Sequence, residues 1–434
     1  MFIDGNPLSA WNEAGFHPMN KSYYNHLFMK ILLINQSFVS PDEPGHTRHF
    51  EMAQFLRVRG HELVIVASDL NYQTGQRTIK RKEDVAGRVI DGVRILRAYV
   101  YPSLHRSYLW RIVSFFSFMF SSVWTALRVR DVDLVMGTTP PIFQAVSAWF
   151  VSIIWRKPFL LEVRDLWPEF GVSMGVLTNP VLIMLGRWLE SFLYARATHI
   201  LVNSPAYKEY MIAKGVPETK ITFIAYGTDV DMFNPQVDGS SIRRELGLEN
   251  KFVVLYAGAL GQANDINTIL RAAQRLNADD RICFVFFGDG KERPRLKSEA
   301  ERMKLTNVIF AGVRAKKYMP QVVACADVCL AILQDISMFR TTYPNKVFDY
   351  MAAGRATVLV IDGVSRDLIE SSQGGVYVQP GDDELLAKTI LELSQDLQHV
   401  KQMGANARDY LVKHLDRRDK LNETLDLLTK LTNR

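Results

Sequence analysis

Residues 341–363 read TTYPNKVFDYMAAGRATVLVIDG. A proline-led loop opens a helix in which Phe348, Met351 and Ala352 fall at helical spacing, Gly354 stops it, and ATVLVID (356–362) follows as an apolar run. A helix that passes through a glycine stop into a buried strand is half of a βαβ unit. Working upstream, the same alternation carries FVVLYAG (252–258), ICFVFFG (282–288), VIFAG (308–312) and VCLAIL (328–333) as strands with helical patterns between them. An earlier series comprises KILLIN (30–35), ELVIVAS (62–68), VRILRAY (93–99), DLVMGT (133–138), FLLEVRD (159–165), THILVNS (198–204) and ITFIAY (221–226). The turn-rich stretch DVDMFNPQVDGSS (229–241) separates the two series. This predicts an α/β chain of two doubly wound parallel-sheet domains facing each other across a cleft.

The boundaries follow. Residues 29–230 form the first domain, 231–250 a linker, 251–410 the second domain, and 411–434 a terminal helix. Residues 1–28 lack the basic start and long apolar run of a secretory signal and are expected to be a loosely structured extension.

At 434 residues, 48% hydrophobic and 23% charged, the chain has ordinary globular composition, which excludes disordered and fibrous classes. Three cysteines are too few for a disulfide scaffold, and Cys325 and Cys329 have no second ligand pair to make a metal site. The nine histidines form no metal-ligand spacing either. A net charge of +6 over this length is too mild for a nucleic-acid binder. It suits an enzyme of anionic substrates or one resting on an acidic membrane.

Two apolar stretches bear on the membrane. Residues 112–127 (IVSFFSFMFSSVWTAL) are uncharged but short for a span, and are flanked by Arg106, Arg111, Arg128 and Arg130. They read either as a core helix or as an interfacial helix. Residues 134–155 are interrupted by Gly137 and Pro140-Pro141, hence strand, loop and helix.

Ligands of such sheets bind at the carboxyl ends of strands. After the first strand, Pro44-Gly45-His46-Thr47 opens a helix whose N-terminus favours an anion. After the 159–165 strand, Arg164, Asp165 and Glu169 cluster beside Trp167, while Glu162 inside the run is expected to pair with a structural cation. Gly258 and Gly261 form a second glycine loop, and Gly288-Asp289-Gly290 a third, with Lys291 and Arg293 after it. None of these loops is a G-x-G-x-x-G or P-loop fingerprint. Lys346 and Asp349, three apart, share a helix face. They read either as a surface ion pair or as a phosphate cation and a ribose carboxylate.

The ordered series KILLIN, RGHELVIVAS (59–68), KPFLLEVRDLWPE (157–169), SPAYKEYMIAKGVPETKITFIAYGTDVDMFNP (204–235), LYAGALG (255–261), FVFFGDGKERPRLK (284–297), NVIFAGV (307–313), CADVCLA (325–331) and YPNKVFDYMAAG (343–354) resembles the family 4 retaining glycosyltransferases of the GT-B fold. RDLWPE and the YPNKVFDYMAAG stretch are similar to the bacterial branch that builds surface polysaccharides and O-antigens. The resemblance implies transfer of a sugar from a nucleotide-diphosphate donor to a hydroxyl with retention, without bound metal or other cofactor. It implies a lipid-linked or saccharide acceptor, no nucleic acid, and a cytoplasmic enzyme peripheral on the inner membrane through 105–130. The terminal helix would return to the first domain.

By the same resemblance Gly45 meets the donor phosphate and Asp349 the ribose; the reading of the loops adds His46, Gly258, Gly261 and Lys346 as phosphate candidates. Gly288, Asp289 and Asp349 hold the nucleotide, and Asp165 and Arg164 are the catalytic candidates. This chain departs from the family pattern at several places. Thr341 stands at the first glutamate of the paired-carboxylate motif, eight residues before Asp349. Ala259 and Asn264 stand at the phosphate-binding arginine and lysine, Arg164 at a histidine, and Tyr226 at an asparagine. Lys346, backed by Arg314, Lys316, Lys317 and Arg340, is expected to replace the missing cations. The alternatives are a nucleotide-sugar epimerase of the same fold and a non-catalytic scaffold in a polysaccharide-assembly complex.

Overall fold

The computed structural model describes residues 28–40, 47–71, 75–78, 87–102 and 108–433. The expected extension up to residue 27, and Gly45 and His46, lie outside the described residues.

Eight strands form the first sheet: β1 (Lys30–Asn35), β2 (Glu62–Ser68), β3 (Arg88–Ile90), β4 (Val93–Ala98), β5 (Leu134–Thr139), β6 (Phe159–Val163), β7 (His199–Val202) and β8 (Ile221–Phe223). Their order is β3-β4-β2-β1-β5-β6-β7-β8, parallel except where β3 folds back on β4. The second sheet holds β9 (Phe252–Ala257), β10 (Ile282–Phe287), β11 (Val308–Gly312), β12 (Val328–Ile332), β13 (Ala356–Val360) and β14 (Gly375–Tyr377), in the order β11-β10-β9-β12-β13-β14, with every described pairing parallel. The chain reverses its winding between β1 and β5 and between β9 and β12, which opens a crevice at the carboxyl ends of each sheet.

The central strands are buried on both faces, which is why they read as unbroken apolar runs. Alternate side chains serve opposite cores. Leu32 and Ile34 pack with Val135, Leu161 and Ile200 under helices Tyr108–Ala126, Ile142–Trp155 and Pro180–Arg196. Ile31 and Leu33 pack with Phe50, Met136 and Leu428 under helices Arg48–Val58 and Arg417–Thr432. In helix Tyr108–Ala126, Phe118 and Ser122 are buried while Phe120 and Trp124 are exposed, so the 112–127 stretch has a core face and an outer one. Among the described residues, no helix is long and apolar enough to cross a membrane.

The domain limits differ from the sequence reading in two places. Helix Ser240–Leu246 lies inside the expected linker, yet Arg243 bonds Asp327 at 2.6 Å and the Cys325 carbonyl at 2.8 Å, tying it to the second domain. The C-terminal tail is two helices. Leu411 is buried in the second domain's core within helix Leu397–His414, and Asp416 caps a new helix, Arg417–Thr432, whose Leu421, Leu425 and Leu428 join the first domain's core. The return therefore starts at 417 rather than 411, because the cap breaks the helix just where the chain changes domain.

The two crossings between domains lie against each other. Thr228 pairs with Asp416, the Arg417 N–H donates to the Thr228 carbonyl at 3.0 Å, and Thr228 N–H donates to the Leu415 carbonyl at 3.2 Å. Gly227 has φ +57°, and a Cβ there would sit 2.2 Å from the Leu415 oxygen, so only glycine fits.

Six of the seven tryptophans lie between Trp110 and Trp188 in the first domain and the second domain holds none, so a fluorescence transition reports the first domain. Leu428→Ala, at the far end of the chain, is expected to destabilise that domain by about 2–5 kcal/mol, read as a lowered urea midpoint of tryptophan fluorescence. An unchanged midpoint would show that the returning helix contributes nothing to this core.

Candidate active site

The second domain's crevice is made by close-packed backbone. Gly288 follows β10, and a Cβ on it would lie 1.8 Å from the Gly258 oxygen at the end of β9. Gly258 itself faces Lys346, whose Nζ would lie 2.5 Å from a Cβ there. Lys346, in the first turn of helix Asn345–Ala352, stands over the Tyr256 ring at 4.0 Å and has no ion pair among the described residues. Burial lowers its pKa from 10.5 to about 7. A cation held without a counter-charge against glycine backbone is a place where an anion restores lost charge.

Gly261 has nothing within 4 Å of its Cβ position and lines an open pocket with Asn264 and Gln334. Asp289 is at the surface; it accepts from the Gly290 N–H at 2.8 Å and lies 3.9 Å from Arg293. Asp349 is three residues past Lys346 but does not pair with it. Its carboxylate accepts from the Thr228 hydroxyl beside the crossings, and burial raises its pKa against that bond and the charges of Arg417 and Lys316. The surface ion pair between Lys346 and Asp349 is thus absent, because the two side chains leave the helix toward different domains.

Across the cleft, the first turn of helix Arg48–Val58 presents Arg48, His49 and Glu51. Glu162, inside β6, does pair with a cation, Arg48 at 3.1 Å, and accepts from the neutral His49 Nε2 at 2.8 Å. Asn35 Nδ2 donates to His49 Nδ1 at 2.9 Å, which leaves the imidazole proton on Nε2, facing Glu162. Arg48 also stacks on the Tyr226 ring at 3.4 Å. Burial lowers the His49 pKa to about 4, and Arg48 and His49 hold Glu162 well below the usual carboxylate range.

Arg164 spends its Nε and one terminal nitrogen on the carbonyls of Thr139 and Pro140, each at 3.0 Å, which fixes the end of β5 to the end of β6. Asp165 beside it has its pKa raised to about 6 by burial, opposed by Arg164 and Arg48. Glu169 instead joins Arg187 at 2.7 Å. Several buried polar atoms around these strand ends have no hydrogen-bond partner: Gln36 Oε1, the Thr138 and Thr139 hydroxyls, the Tyr226 hydroxyl, and Asn345 Oδ1 in the facing domain. Buried polar atoms without a partner are rare in folded proteins, and each calls for a water, an ion, a ligand or local strain to account for it.

Glu51 spans the cleft. It bonds Lys316 of the second domain, Arg417 at the start of the returning helix, and the Thr47 hydroxyl at 2.6 Å. Those cations hold it well below the usual carboxylate range despite burial. Ser204 adds a second bridge to the Thr341 carbonyl at 2.6 Å. Of the cations considered from sequence, Arg314 pairs with Glu245, Lys316 with Glu51, and Arg340 with Asp335 and Asp362. Lys317 is exposed, which leaves Lys346 as the half-buried one without a carboxylate among the described residues. Sequence reasoning missed Arg48, Glu51, Thr228 and Arg417; the run RHFE (48–51) directly after the glycine loop was the available signal for the first two. Among the described residues, no three His, Cys, Asp or Glu side chains gather as a metal site.

A pH dependence follows from the His49–Glu162 pair. Because the folded state holds His49 neutral below its ordinary 6.5, the unfolded chain binds the extra proton first, and stability falls as pH drops from 6.5 toward 4. Glu162, with its depressed pKa, adds a further loss below 4.5. The urea midpoint of tryptophan fluorescence is expected to fall between pH 7.5 and 5.0 and to fall less in His49→Gln. An identical slope in that variant would remove His49 as the cause.

Comparison with known proteins matches residues 45–227 to the glycosyl transferase 4-like domain and residues 251–396 to the glycosyl transferases group 1 domain, together well over half of the chain. The putative colanic acid biosynthesis glycosyl transferase WcaI of Escherichia coli K12 is 23% identical over 417 residues, covering 92% of this chain and 99% of that protein. The probable glycosyltransferase WbjE of Pseudomonas aeruginosa is 26% identical over 286 residues, 65% of this chain and 70% of that one. Among solved structures, Anabaena HepE in complex with UDP-glucose superposes with a TM-score of 0.71 at 19% identity, over 93% of this chain and 100% of that one. The chain belongs to the glycosyltransferases that join a 4-like domain to a group 1 domain in the two-domain GT-B fold.

Proposed function

We propose that the chain moves a sugar from a nucleotide-diphosphate donor to a hydroxyl of a lipid-linked saccharide, with retention, during cell-surface polysaccharide synthesis on the cytoplasmic face of the bacterial inner membrane. The observation that carries this reading is Lys346, a half-buried cation with no carboxylate partner among the described residues, set against Gly258, whose backbone packs on Gly288. The relative named for colanic acid biosynthesis and the neighbour holding UDP-glucose support the pathway and the donor class.

In this reading the donor diphosphate lies on Lys346 and the glycine loops at Gly45–His46, Gly258–Gly261 and Gly288–Asp289, and the Asp349 carboxylate accepts from the ribose hydroxyls. Lys346 takes the place of the cations missing at Ala259 and Asn264. The sugar extends toward β5 and β6, where the unpartnered hydroxyls of Thr138, Thr139 and Tyr226 can bond its oxygens. The bond from the sugar's anomeric carbon to the phosphate oxygen breaks as the acceptor oxygen approaches the same face. The acceptor proton passes to the leaving phosphate, whose growing charge Lys346 stabilises. Asp165 orients the acceptor hydroxyl, and Arg164 positions Asp165. No metal or other cofactor is part of the proposed reaction.

A thermal-shift panel of UDP-, GDP-, TDP- and CMP-sugars is expected to show stabilisation by one nucleotide class, lost in Lys346→Ala and Asp349→Ala. Silence across the panel from folded protein would favour the non-catalytic scaffold. Because the free Lys346 titrates near 7 and an anion favours its charged form, donor binding should take up a proton above that pH. Donor affinity should weaken as pH rises from 6.5 to 8.5, and Lys346→Met should bind weakly without that slope. Asp165→Asn should keep donor binding while turnover drops about 100-fold or more; full turnover would remove Asp165 from the reaction.

A further inference from the structure

Helices Tyr108–Ala126, Ile142–Trp155 and Pro180–Arg196 lie side by side on one face of the first sheet, and each carries a second apolar stripe turned away from the core. On the first, Phe120 and Trp124 are 68% and 70% exposed; on the second, Phe150 and Ile153 are 47% and 52%; on the third, Met184 and Trp188 are 61% and 62%. Each pair is spaced three or four residues apart, so the stripes run along the helices and adjoin across them. Single exposed apolar side chains need no explanation, but a contiguous surface over three neighbouring helices marks an interaction site.

The charge pattern selects the partner. Glu190 is the one acidic residue in the three helices, and it is buried against Tyr194 at 3.0 Å and Lys214. Arg111, Arg128, Arg156 and Arg196 are exposed at the ends of the same helices. Arginines there also complement helix C-termini, but Arg111 lies near an N-terminus, where that account fails. An apolar, tryptophan-bearing face with no exposed carboxylate and a basic margin fits an anionic lipid surface. The face also adjoins the candidate site, since Phe116 lies 5.0 Å from Phe143, and Phe143 lies 6.3 Å from Trp167, two residues beyond Asp165.

We propose that these three helices together form the seat of the enzyme on an anionic bilayer, lying on its surface and bringing the Asp165 loop to the level of the lipid headgroups. This rests on the lipid-linked acceptor proposed above and extends the contact well beyond residues 105–130.

The test is co-sedimentation of the full chain with vesicles of phosphatidylcholine containing phosphatidylglycerol, and with phosphatidylcholine alone. Wild type should pellet with the anionic vesicles. Phe120→Glu/Trp124→Glu and, independently, Met184→Glu/Trp188→Glu should each cut partitioning by about ten-fold or more, with circular dichroism unchanged because all four side chains are exposed. The nucleotide-sugar thermal shift should be unaffected in both. Unbound wild type overturns the seat, and so does retained binding by the 184/188 variant, which would confine the contact to one helix. A wild-type dimer in analytical ultracentrifugation that the same variants dissociate, with no vesicle binding, would assign the face to a second copy of the chain. Failure of vesicle binding with an intact donor response sinks the seat alone; vesicle binding without any donor response sinks the transferase reading alone.

Discussion

The architecture hangs on two crossings of the chain, 227–228 and 415–417, hydrogen-bonded side by side. Gly227 permits that approach, because any side chain would meet the Leu415 carbonyl. From this joint three things are placed at once. Thr228 reaches Asp349 in the second domain, Arg417 reaches Glu51 in the first, and the last helix is delivered to the first sheet. The cleft is therefore a space bounded by a shared, hydrogen-bonded hinge and bridged farther out by Lys316–Glu51 and Ser204–Thr341. A movement between the domains would have to break or re-form those two bridges, whereas the hinge itself can stay paired.

Charge in the cleft follows a consistent division. On the first domain's side two carboxylates are tied down: Glu162 by Arg48 and His49, and Glu51 by Lys316 and Arg417. Such pairs hold geometry more than they add stability, since desolvation offsets much of the attraction. On the second domain's side Lys346 has an aromatic face and glycine backbone. Arrangements that are fully satisfied position the walls, and the one left unsatisfied is where a substrate's charge makes a difference to binding. The Tyr226 hydroxyl and the threonines at the end of β5 repeat the theme with neutral groups.

The central strands were legible because burial on both faces demands unbroken apolar runs, and Gly258 and Gly288 after β9 and β10 announced a close approach. β3 and β14 were not, since each is three residues long, at a sheet edge, and without buried positions. The Asp91-Gly92 turn before β4, with φ of 46° and 79°, was a readable hairpin signal that the apolar-run criterion passes over. Lys346 and Asp349 were singled out from sequence with a mutual pair as one reading, and only the tertiary structure separates them. Contacts such as Glu51–Arg417, 366 residues apart, or His49–Glu162, 113 apart, leave no local pattern at all. What a sequence shows of such a site is the residue type at a strand end, and the partner has to come from the fold.

The last helix has a consequence for biosynthesis. Ile31, Leu33, Ile65 and Met136 are covered in part by Leu421, Leu425 and Leu428, which come after the whole second domain in the chain. Throughout synthesis of the second domain the first sheet keeps an uncovered apolar face, and domains otherwise fold as units in the order they emerge. Completion of the amino-terminal half thus waits for the helix that follows the second domain, so a nascent chain stalled before that helix presents a sticky sheet to chaperones, and its synthesis closes the sheet.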